Sequence, residues 1–388
     1  MNVITESLIK TLKKFKRKKL SVHEPDVRPK DFSYLKNCID KKEVSAIGSY
    51  TKTFEKKIAQ ITKAKNVILT NSGTSALHIS CLLAGVKKNE EVLVPAFTFV
   101  ASVNSILYSQ GIPHFIDTKK NNLTIDFIKL DKYLKKISKK YKGRTLNKKT
   151  NRTIKAIMIV HPFGHPVDCD QMIKISKKYN LEIIEDAADS LGSFFKKKHV
   201  GTFGKIGAIS FNGNKIVTCG LGGAIITNND KIAKEARNLI SVSKTNHKFK
   251  FIHKKLGYNY RLANINAALG LSQLKRFENT LKLKRKLFKF YAKEINKNYF
   301  QLLKEYGDKK FNYWLQTIII HKKYKSKVDK ILNQLIKNGF NLRKGWELMT
   351  SINYLKKYPK MNLDSAKDIQ SRIINLPSSS FLIKKVKL

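Results

Sequence analysis

The chain is poor in acidic residues and in cysteine. It has 28 Asp and Glu against 78 Lys and Arg in 388 residues, which gives a formal net charge of +50. Its four cysteines, Cys38, Cys81, Cys169 and Cys219, are scattered and include no Cys-x-x-Cys pair. This spacing argues against a structural zinc site or a disulfide framework and is typical of a protein kept in a reducing cytoplasm.

Long apolar runs are also missing. No stretch of the sequence is long enough to span a bilayer. The N-terminus, with Glu6 and the basic run Lys10–Lys19, lacks the apolar segment of a secretory signal. A hydrophobic content of 42% is nevertheless sufficient for a sizeable core. We therefore expect a globular protein without a membrane span, with one large domain and a smaller one.

The excess of positive charge raises the question of nucleic-acid binding. The lysines are spread along the whole chain, however, with neither an interleaved aromatic RNA-binding pattern nor a helix-turn-helix signature. We interpret them as mostly solvated surface residues and expect no specific nucleic-acid partner. The charge should still attract anionic ligands such as nucleotides.

Short apolar strands alternate with helical segments through the first half of the chain. The predicted strands are Val67–Thr70, Glu91–Pro95, Ile112–Asp117, Ile154–Val160 and Leu181–Asp186. This alternation predicts an α/β fold, in which a mostly parallel sheet has helices on both faces. We divide the chain into a basic N-terminal segment (1–30), a large domain (31–262) and a smaller C-terminal α+β domain (263–388).

A loop rich in Gly, Asn and Ser lies between two β-prone runs and contains Lys215. Most other lysines lie in patterns typical of exposed positions, whereas this one lies between segments that we predict to be buried strands. A desolvated lysine can lose its proton and attack a carbonyl to form a Schiff base. On this stretch alone, a loop whose lysine reaches into water is an equally good interpretation.

Other candidate residues also follow predicted strands. Gly73 lies in the turn Asn71–Ser75 before an apolar helix, where free N–H groups can bind an anion or can simply be capped by Ser or Thr. Phe99 and Asp186 follow two further strands. Because ligands of parallel sheets bind outside the carboxyl ends of the strands, we expect these residues and Lys215 to converge on one edge of the sheet.

Six motifs occur in a fixed order along most of the chain. They are Asn71–Leu77, Val94–Phe99, Glu185–Ala188, Gly201–Gly204, Ser210–Lys215 and Gly257–Arg261. Together they resemble the DegT/DnrJ/EryC1/StrS family of pyridoxal-phosphate-dependent nucleotide-sugar aminotransferases. The resemblance implies the type I fold of pyridoxal-phosphate-dependent transferases. Three stretches look closest to the branch that acts on 4-keto-6-deoxy hexoses for legionaminic acid, bacillosamine or perosamine: Ser210–Lys215, Asn312–Leu315 and Asn375–Ser379.

The resemblance also implies a role for each matching residue. Lys215 would bind pyridoxal 5'-phosphate as a Schiff base and would shuttle a proton to the substrate. Asp186 would keep the pyridine nitrogen protonated, and Phe99 would stack on the ring. The implied phosphate ligands are Gly73, Thr74, Ser75 and Ser210 of one subunit and Asn259 of its partner. Such ligands imply a two-fold homodimer with shared active sites.

The sequence departs from the family pattern at two positions. Asp189 stands where many members have Gln, His or Glu, and the shorter side chain should alter a contact with the cofactor hydroxyl or with the sugar; we keep it among the cofactor-binding candidates. Leu221 replaces the Glu of a common Gly-Glu-Gly-Gly motif, which should change a substrate or subunit contact. Members in which His replaces the lysine act as dehydratases, so Lys215 favours amino transfer.

We therefore predict a cytoplasmic aminotransferase that moves an amino group from glutamate to the 4-keto carbon of a UDP- or GDP-linked 6-deoxy sugar, for surface polysaccharide or nonulosonic acid biosynthesis. One alternative is an enzyme of the same fold that acts at carbon 3 or on a ketone not linked to a nucleotide. The other is a non-catalytic, basic binding or regulatory protein on a degenerate aminotransferase fold. The intact Lys215–Asp186 pair argues against this second alternative.

Overall fold

The computed structural model describes residues 3–245 and 247–386. Within these residues the chain forms twelve α-helices: α1 (Val3–Lys13), α2 (Phe32–Asp40), α3 (Ser49–Thr62), α4 (Gly73–Leu83), α5 (Val100–Tyr108), α6 (Phe127–Ile137), α7 (Cys169–Tyr179), α8 (Asp230–Ile240), α9 (Asn264–Leu274), α10 (Phe277–Glu294), α11 (Val328–Lys337) and α12 (Asp364–Gln370).

The same residues form twenty β-strands, many of them very short. They are β1 (Leu20–Ser21), β2 (Asn66–Thr70), β3 (Glu91–Pro95), β4 (Ile112–Ile116), β5 (Ser138–Tyr141), β6 (Arg144–Asn147), β7 (Ile154–Val160), β8 (Glu182–Asp186), β9 (Phe194–Phe195), β10 (Lys198–His199), β11 (Ile206–Ser210), β12 (Gly223–Thr227), β13 (Lys244–Thr245), β14 (Ile252–His253), β15 (Phe300–Leu302), β16 (Lys309–Lys310), β17 (Gln316–Ile320), β18 (Phe340–Asn341), β19 (Arg343–Lys344) and β20 (Ile373–Leu376).

Seven strands form the central sheet, in the spatial order β2-β12-β11-β8-β7-β3-β4. The five strands from β11 to β4 pair in parallel. Strand β12 is antiparallel to both of its neighbours, β11 and β2. The prediction of an α/β fold with a mostly parallel sheet is therefore confirmed, with a single antiparallel strand between two strands that share one direction.

Hydrophobic clusters cover both faces of this sheet. Ile68 of β2 and Ile225 of β12 belong to the largest cluster, which also includes residues of α4 and α5. Leu69 and Ile226, their chain neighbours, belong to a separate cluster with Phe54 of α3. Because successive side chains of a strand point to opposite faces, the two clusters lie on opposite sides of the sheet, and helices pack against each side.

A second, antiparallel sheet has the order β15-β17-β20-β19. It shares a third hydrophobic cluster with three helices, in which Leu8 of α1, Leu287 of α10 and Ile331 of α11 are fully buried. The N-terminal helix is thus built into the core of the C-terminal part of the chain. Strand β1 reinforces this arrangement because it pairs with β18. The domain boundaries near 31 and 262 stay predictions.

The central sheet brings four strand ends to one edge. Strands β2, β3, β8 and β11 run in the same direction and end at Thr70, Pro95, Asp186 and Ser210. The chain leaves this edge in loops that lead into α4, α5 and the segment containing Lys215. No helix of the described residues is both long and apolar enough to cross a membrane.

Candidate active site

A cavity of about 260 Å³ opens at this edge of the sheet. Seven of the nine predicted site residues line it: Gly73, Thr74, Phe99, Asp186, Asp189, Ser210 and Lys215. Residues that are far apart in the sequence therefore meet here because the parallel strands that precede them end side by side.

Helix α4 begins at Gly73, directly after β2, and presents backbone N–H groups to the cavity. Ser72 caps the helix, since its Oγ accepts the N–H of Ser75 at 3.0 Å. The N–H groups of Gly73 and Thr74 lie in the first turn, where the helix provides no acceptor. A Cβ atom at position 73 would lie 2.9 Å from the Cβ of Ser210, so glycine allows a close approach of the two elements. The turn can bind a phosphate group.

Ser75 and Asn259 do not line this cavity. The Ser75 hydroxyl donates to Oδ1 of Asn71 at 2.7 Å and lies 2.8 Å from Oγ of Ser72, so it is engaged within the turn. Asn259 is exposed, and its carbonyl accepts Nδ2 of Asn71 at 3.4 Å. Asn259 therefore lies beside the turn but outside the cavity of its own subunit. The roles that we assigned to these two residues stay predictions.

Asp186 ends β8 and is 6% exposed. Its Oδ2 accepts the hydroxyl of Ser102 at 2.6 Å, and its Oδ1 accepts the N–H of Ala188 at 3.1 Å. Burial raises the pKa of Asp186 above its ordinary value, and the nearby carboxylate of Asp189 acts in the same direction. Both hydrogen-bond donors are neutral, so a cation placed against this carboxylate would lower the pKa and stabilise its charge.

Lys215 lies in the loop between β11 and β12, with its side chain 15% exposed. Its Nζ forms an ion pair with Asp189 and lies 3.9 Å from the centre of the Trp314 ring. The loop is held by the N–H of Lys215, which donates to the carbonyl of Asn212 at 2.9 Å. Nε1 of Trp314 donates to the carbonyl of Asn214 at 2.7 Å. The structure therefore favours a protected lysine over one that reaches into water.

The backbone around Asp189 fixes its carboxylate beside the lysine. Its Oδ2 accepts the N–H of Phe163 at 3.2 Å, and its carbonyl accepts Nδ2 of Asn312 at 2.8 Å. Oδ1 of Asn312 in turn accepts the N–H of Trp314 at 2.8 Å. Gly164 permits this contact because its φ is +87° and a Cβ there would come within 1.8 Å of Oδ1 of Asn312. One hydrogen-bonded frame thus connects Asp189 to Trp314.

We did not predict Ser102, Trp314 or Trp346 as site residues. The two tryptophans are the only ones in the chain, and both line the cavity. Two features of the sequence could have indicated these residues. Tryptophan is rare in this chain, and Ser102 is a polar residue within the apolar helix α5. Trp346 packs against Phe163 with 4.3 Å between the ring centres, and no sequence pattern indicates a contact between such distant segments.

Residues 25–385 match the model of the DegT/DnrJ/EryC1/StrS aminotransferase family. The chain belongs to this family. It is 34% identical over 362 residues to the GDP-perosamine synthase of Escherichia coli O157:H7, an alignment that covers 93% of each chain. It is 30% identical over 342 residues to the UDP-4-amino-4,6-dideoxy-N-acetyl-beta-L-altrosamine transaminase of Campylobacter jejuni serotype O:23/36, covering 87% of this chain and 86% of the relative.

The solved structure of another aminotransferase supports this assignment. The chain superposes on Helicobacter pylori PseC, an aminotransferase involved in the biosynthesis of pseudoaminic acid, with a TM-score of 0.83 and 25% sequence identity. The superposition covers 92% of this chain and 93% of that one. This DegT-family chain is therefore a pyridoxal-phosphate-dependent aminotransferase, and the predicted fold, enzyme class and cofactor are confirmed.

The residues of the cavity fit this cofactor. The N–H groups at the start of α4 suit its phosphate. The buried carboxylate of Asp186, whose hydrogen-bond donors Ser102 and Ala188 are neutral, suits a protonated ring nitrogen. Lys215 supplies an amine within the same cavity. Phe99 lines the wall with 55% of its surface exposed, which leaves a ring face available for stacking.

Proposed function

We propose that this DegT-family enzyme moves an amino group from glutamate to the 4-keto carbon of a UDP- or GDP-linked 4-keto-6-deoxy sugar. The observation that carries the proposal is the meeting of Lys215 and Asp186 in one cavity, on a chain that aligns over 93% of its length with a GDP-perosamine synthase. A UDP-sugar transaminase is similar over 87% of the chain, so both nucleotides stay candidates.

We assign tasks in this reaction to five residues of the cavity. When bound, pyridoxal phosphate supplies an aldehyde that accepts an amino group and a ring that takes up electrons. The carboxylate of Asp186 would hold a proton on the ring nitrogen, and the N–H groups of Gly73 and Thr74 would bind the phosphate. Nζ of Lys215 would take the proton from the α-carbon of glutamate and deliver a proton to carbon 4 of the sugar. Asp189 orients Nζ through their ion pair.

We further propose a homodimer in which Asn259 binds the cofactor phosphate of the partner subunit. Asn259 lies next to the phosphate-binding turn of its own subunit but does not line that cavity. The segment before it exposes Phe249, Phe251 and Leu256 by 80%, 79% and 76%. Exposed apolar side chains of this size are typical of a surface that another protein covers. The four free and buried cysteines favour the cytoplasm as the place of action.

An assay with the purified enzyme tests the proposed reaction. The enzyme is incubated with glutamate and a panel of UDP- and GDP-linked 4-keto-6-deoxy sugars, and the amino sugar is identified by mass spectrometry and NMR. We expect the new amine on carbon 4 of one of these sugars. An amine on carbon 3 would favour the alternative enzyme of the same fold, and no amino sugar from any member of the panel would contradict the proposal.

A further inference from the structure

Lys284 of α10 is a buried lysine without a carboxylate partner. Its side chain is 0% exposed, and burial lowers the pKa of its amine from the ordinary value to about 7. In the part of the chain that the structure describes, no carboxylate lies within ion-pair distance of its Nζ. Burying such an amine costs free energy that an apolar side chain of similar length would not cost. The hydrogen bonds of Nζ therefore indicate what the lysine contributes.

Nζ of Lys284 has three acceptors within hydrogen-bond distance. It donates to the carbonyls of Trp314 at 3.0 Å and Ser378 at 2.7 Å, and it lies 3.1 Å from Nε2 of His23. The pKa of His23 lies well below its ordinary value, mainly because the ring is buried and then because of the charges of Lys284 and Lys215. A neutral imidazole can accept a hydrogen bond, so the three acceptors match the three N–H groups of an ammonium.

Trp314 connects this buried amine to the lysine of the cofactor cavity. Its carbonyl accepts Nζ of Lys284, and its indole makes two contacts with the loop of Lys215. Nε1 donates to the carbonyl of Asn214 at 2.7 Å, and the ring centre lies 3.9 Å from Nζ of Lys215. A shift of the Trp314 backbone would therefore move both contacts. Lys284 can influence the place of the second amine without touching it.

Further hydrogen bonds join α10 to the same two segments. Nε2 of Gln316 donates to the carbonyl of Lys284 at 3.1 Å, and the N–H of Gln316 donates to Oγ of Ser378 at 2.7 Å. The N-terminal segment is included, because the carbonyl of Val22 accepts the N–H of Ser378 at 2.7 Å. Lys284 thus lies where three distant segments of the chain are bound to one another, and an apolar side chain would leave its three acceptors unsatisfied.

We propose that Lys284 is a positioning residue for amino transfer, because it holds Trp314 in the place from which the indole fixes Nζ of Lys215. A displacement of about 1 Å between reacting groups is sufficient to slow a reaction strongly while binding is retained. The inference rests on the proposed function for the amino donor, glutamate, whereas the first experiment below does not depend on that donor.

Hydrogen exchange of the loop, measured by mass spectrometry on peptides of residues 211–218, gives the first test in the enzyme with and without cofactor. Lys284→Met keeps the length of the side chain and removes its donors, so we expect exchange in this loop to become about 10-fold faster. Tyr291→Phe is the matched control. Tyr291 is also fully buried on α10, and its hydroxyl donates to the carbonyl of Pro377 at 2.8 Å, a hydrogen bond that does not involve Trp314. This variant should leave the exchange of the loop unchanged.

The reaction of the holoenzyme with glutamate, followed by the cofactor absorbance, gives the second test. We expect Lys284→Met to lower kcat about 10- to 100-fold and to change KM by less than about threefold, since the substitution affects placement rather than binding. In Trp314→Phe enzyme the same substitution should lower kcat by less than about twofold further, because the two residues act through one contact. Tyr291→Phe should keep the kcat of the wild type.

Three results would overturn the inference: unchanged exchange in Lys284→Met, equal effects of Lys284→Met and Tyr291→Phe, or full additivity of Lys284→Met with Trp314→Phe. If Lys284→Met does not fold, His23→Leu decides in its place, because it removes one acceptor at a partly exposed position. Faster exchange of the loop in that variant would support the inference, and unchanged exchange would overturn it. Failure of the wild type to react with glutamate would instead refute the proposed donor, and the exchange experiment would still decide the role of Lys284.

Discussion

Asp186 and Asp189 lie three residues apart, yet their surroundings prepare them for different tasks. The hydrogen bonds that Asp186 accepts, from the hydroxyl of Ser102 and the N–H of Ala188, have neutral donors, and burial raises its pKa. Asp189 forms an ion pair with Lys215. A cationic ligand would therefore stabilise the charge of the Asp186 carboxylate most, whereas the carboxylate of Asp189 already has a cationic partner in Lys215. The geometry therefore favours Asp186 as the partner of the cofactor ring and Asp189 as the residue that orients the lysine.

A substitution at Asp186 tests this division. Asp186→Asn keeps the shape and a hydrogen-bond acceptor for Ser102, but a neutral amide cannot hold the ring nitrogen protonated. We expect cofactor to stay bound and the single-turnover reaction with glutamate to slow by about 100-fold or more, the size of a lost acid–base contribution. Ser102→Ala, which removes one neutral donor, should have a much smaller effect. An unchanged rate in Asp186→Asn would rule out the assignment.

At the scale of the elements, the adjacent residues Glu185 and Asp186 of strand β8 have different roles. Asp186 lines the cavity, while Glu185 is buried with the loop that contains Gly201 and Gly204. Oε2 of Glu185 accepts the N–H of Gly201 at 2.7 Å, and Oε1 accepts that of Gly204 at 2.6 Å. Burial by itself raises the pKa of Glu185, but hydrogen bonds from His161 and from these N–H groups hold it below its ordinary value. Glu185 thus fastens the loop to the sheet.

Glu185→Gln should therefore destabilise the fold. The amide would place N–H groups against backbone N–H donors and leave buried groups unsatisfied, so we expect the free energy of unfolding to fall by about 3 kcal/mol or more. Urea unfolding measures this loss. Glu182→Gln is the matched control on the same strand, because its carboxylate is partly exposed and pairs with Lys205 at 3.2 Å; it should change the free energy by less than about 1 kcal/mol. Equal effects would refute the role of Glu185.

The order of the strands and helices along the chain could be predicted from the sequence. Which strands pair and which helices pack together could not. Strands such as β7 and β8 are short, apolar and bounded by turns, so local pattern suffices to locate them. The position of β12 between β2 and β11 depends on pairing that leaves no local signal. The apolar residues of α1 indicate a short helix, but its partner surface on α10 and α11 comes from distant parts of the chain.

The same limit explains which site residues were predicted. Gly73, Asp186 and Lys215 lie where strands end, and parallel topology brings those ends together. Trp314 and Trp346, by contrast, come from the C-terminal part of the chain. Their place beside the cavity depends on the packing of separate parts of the chain, which no motif spacing records.

For the whole molecule, the charge of +50 has a measurable consequence. We expect weak binding of any DNA duplex, since phosphate contacts of surface lysines do not depend on sequence, and we expect the affinity to fall more than tenfold between about 50 and 200 mM salt. Fluorescence anisotropy with two unrelated labelled duplexes measures both properties. Tight binding that persists at physiological salt and prefers one sequence would revive the nucleic-acid interpretation.

The proposed dimer predicts that two inactive variants can complement each other. Lys215→Ala lacks the amine but keeps Asn259, whereas Asn259→Asp keeps the amine and sets a carboxylate against the partner's phosphate. A heterodimer of the two would hold one intact site built from both chains. We expect purified heterodimer, isolated through two different tags, to recover about half of the wild-type activity, since one of the two sites is intact. A heterodimer as inactive as its parents would show that Asn259 does not serve the partner.

The most direct test of the central claim, that Lys215 is the amine that holds the cofactor, is to reduce the holoenzyme with borohydride and map the modified peptide by mass spectrometry. We expect the cofactor on Lys215, and we expect Lys215→Ala to lose the modified peptide, the visible absorbance band and turnover. Lys205→Ala, which removes a lysine paired with Glu182 on the surface, should retain all three. Cofactor attached to a different lysine, or wild-type turnover by Lys215→Ala, would contradict the claim.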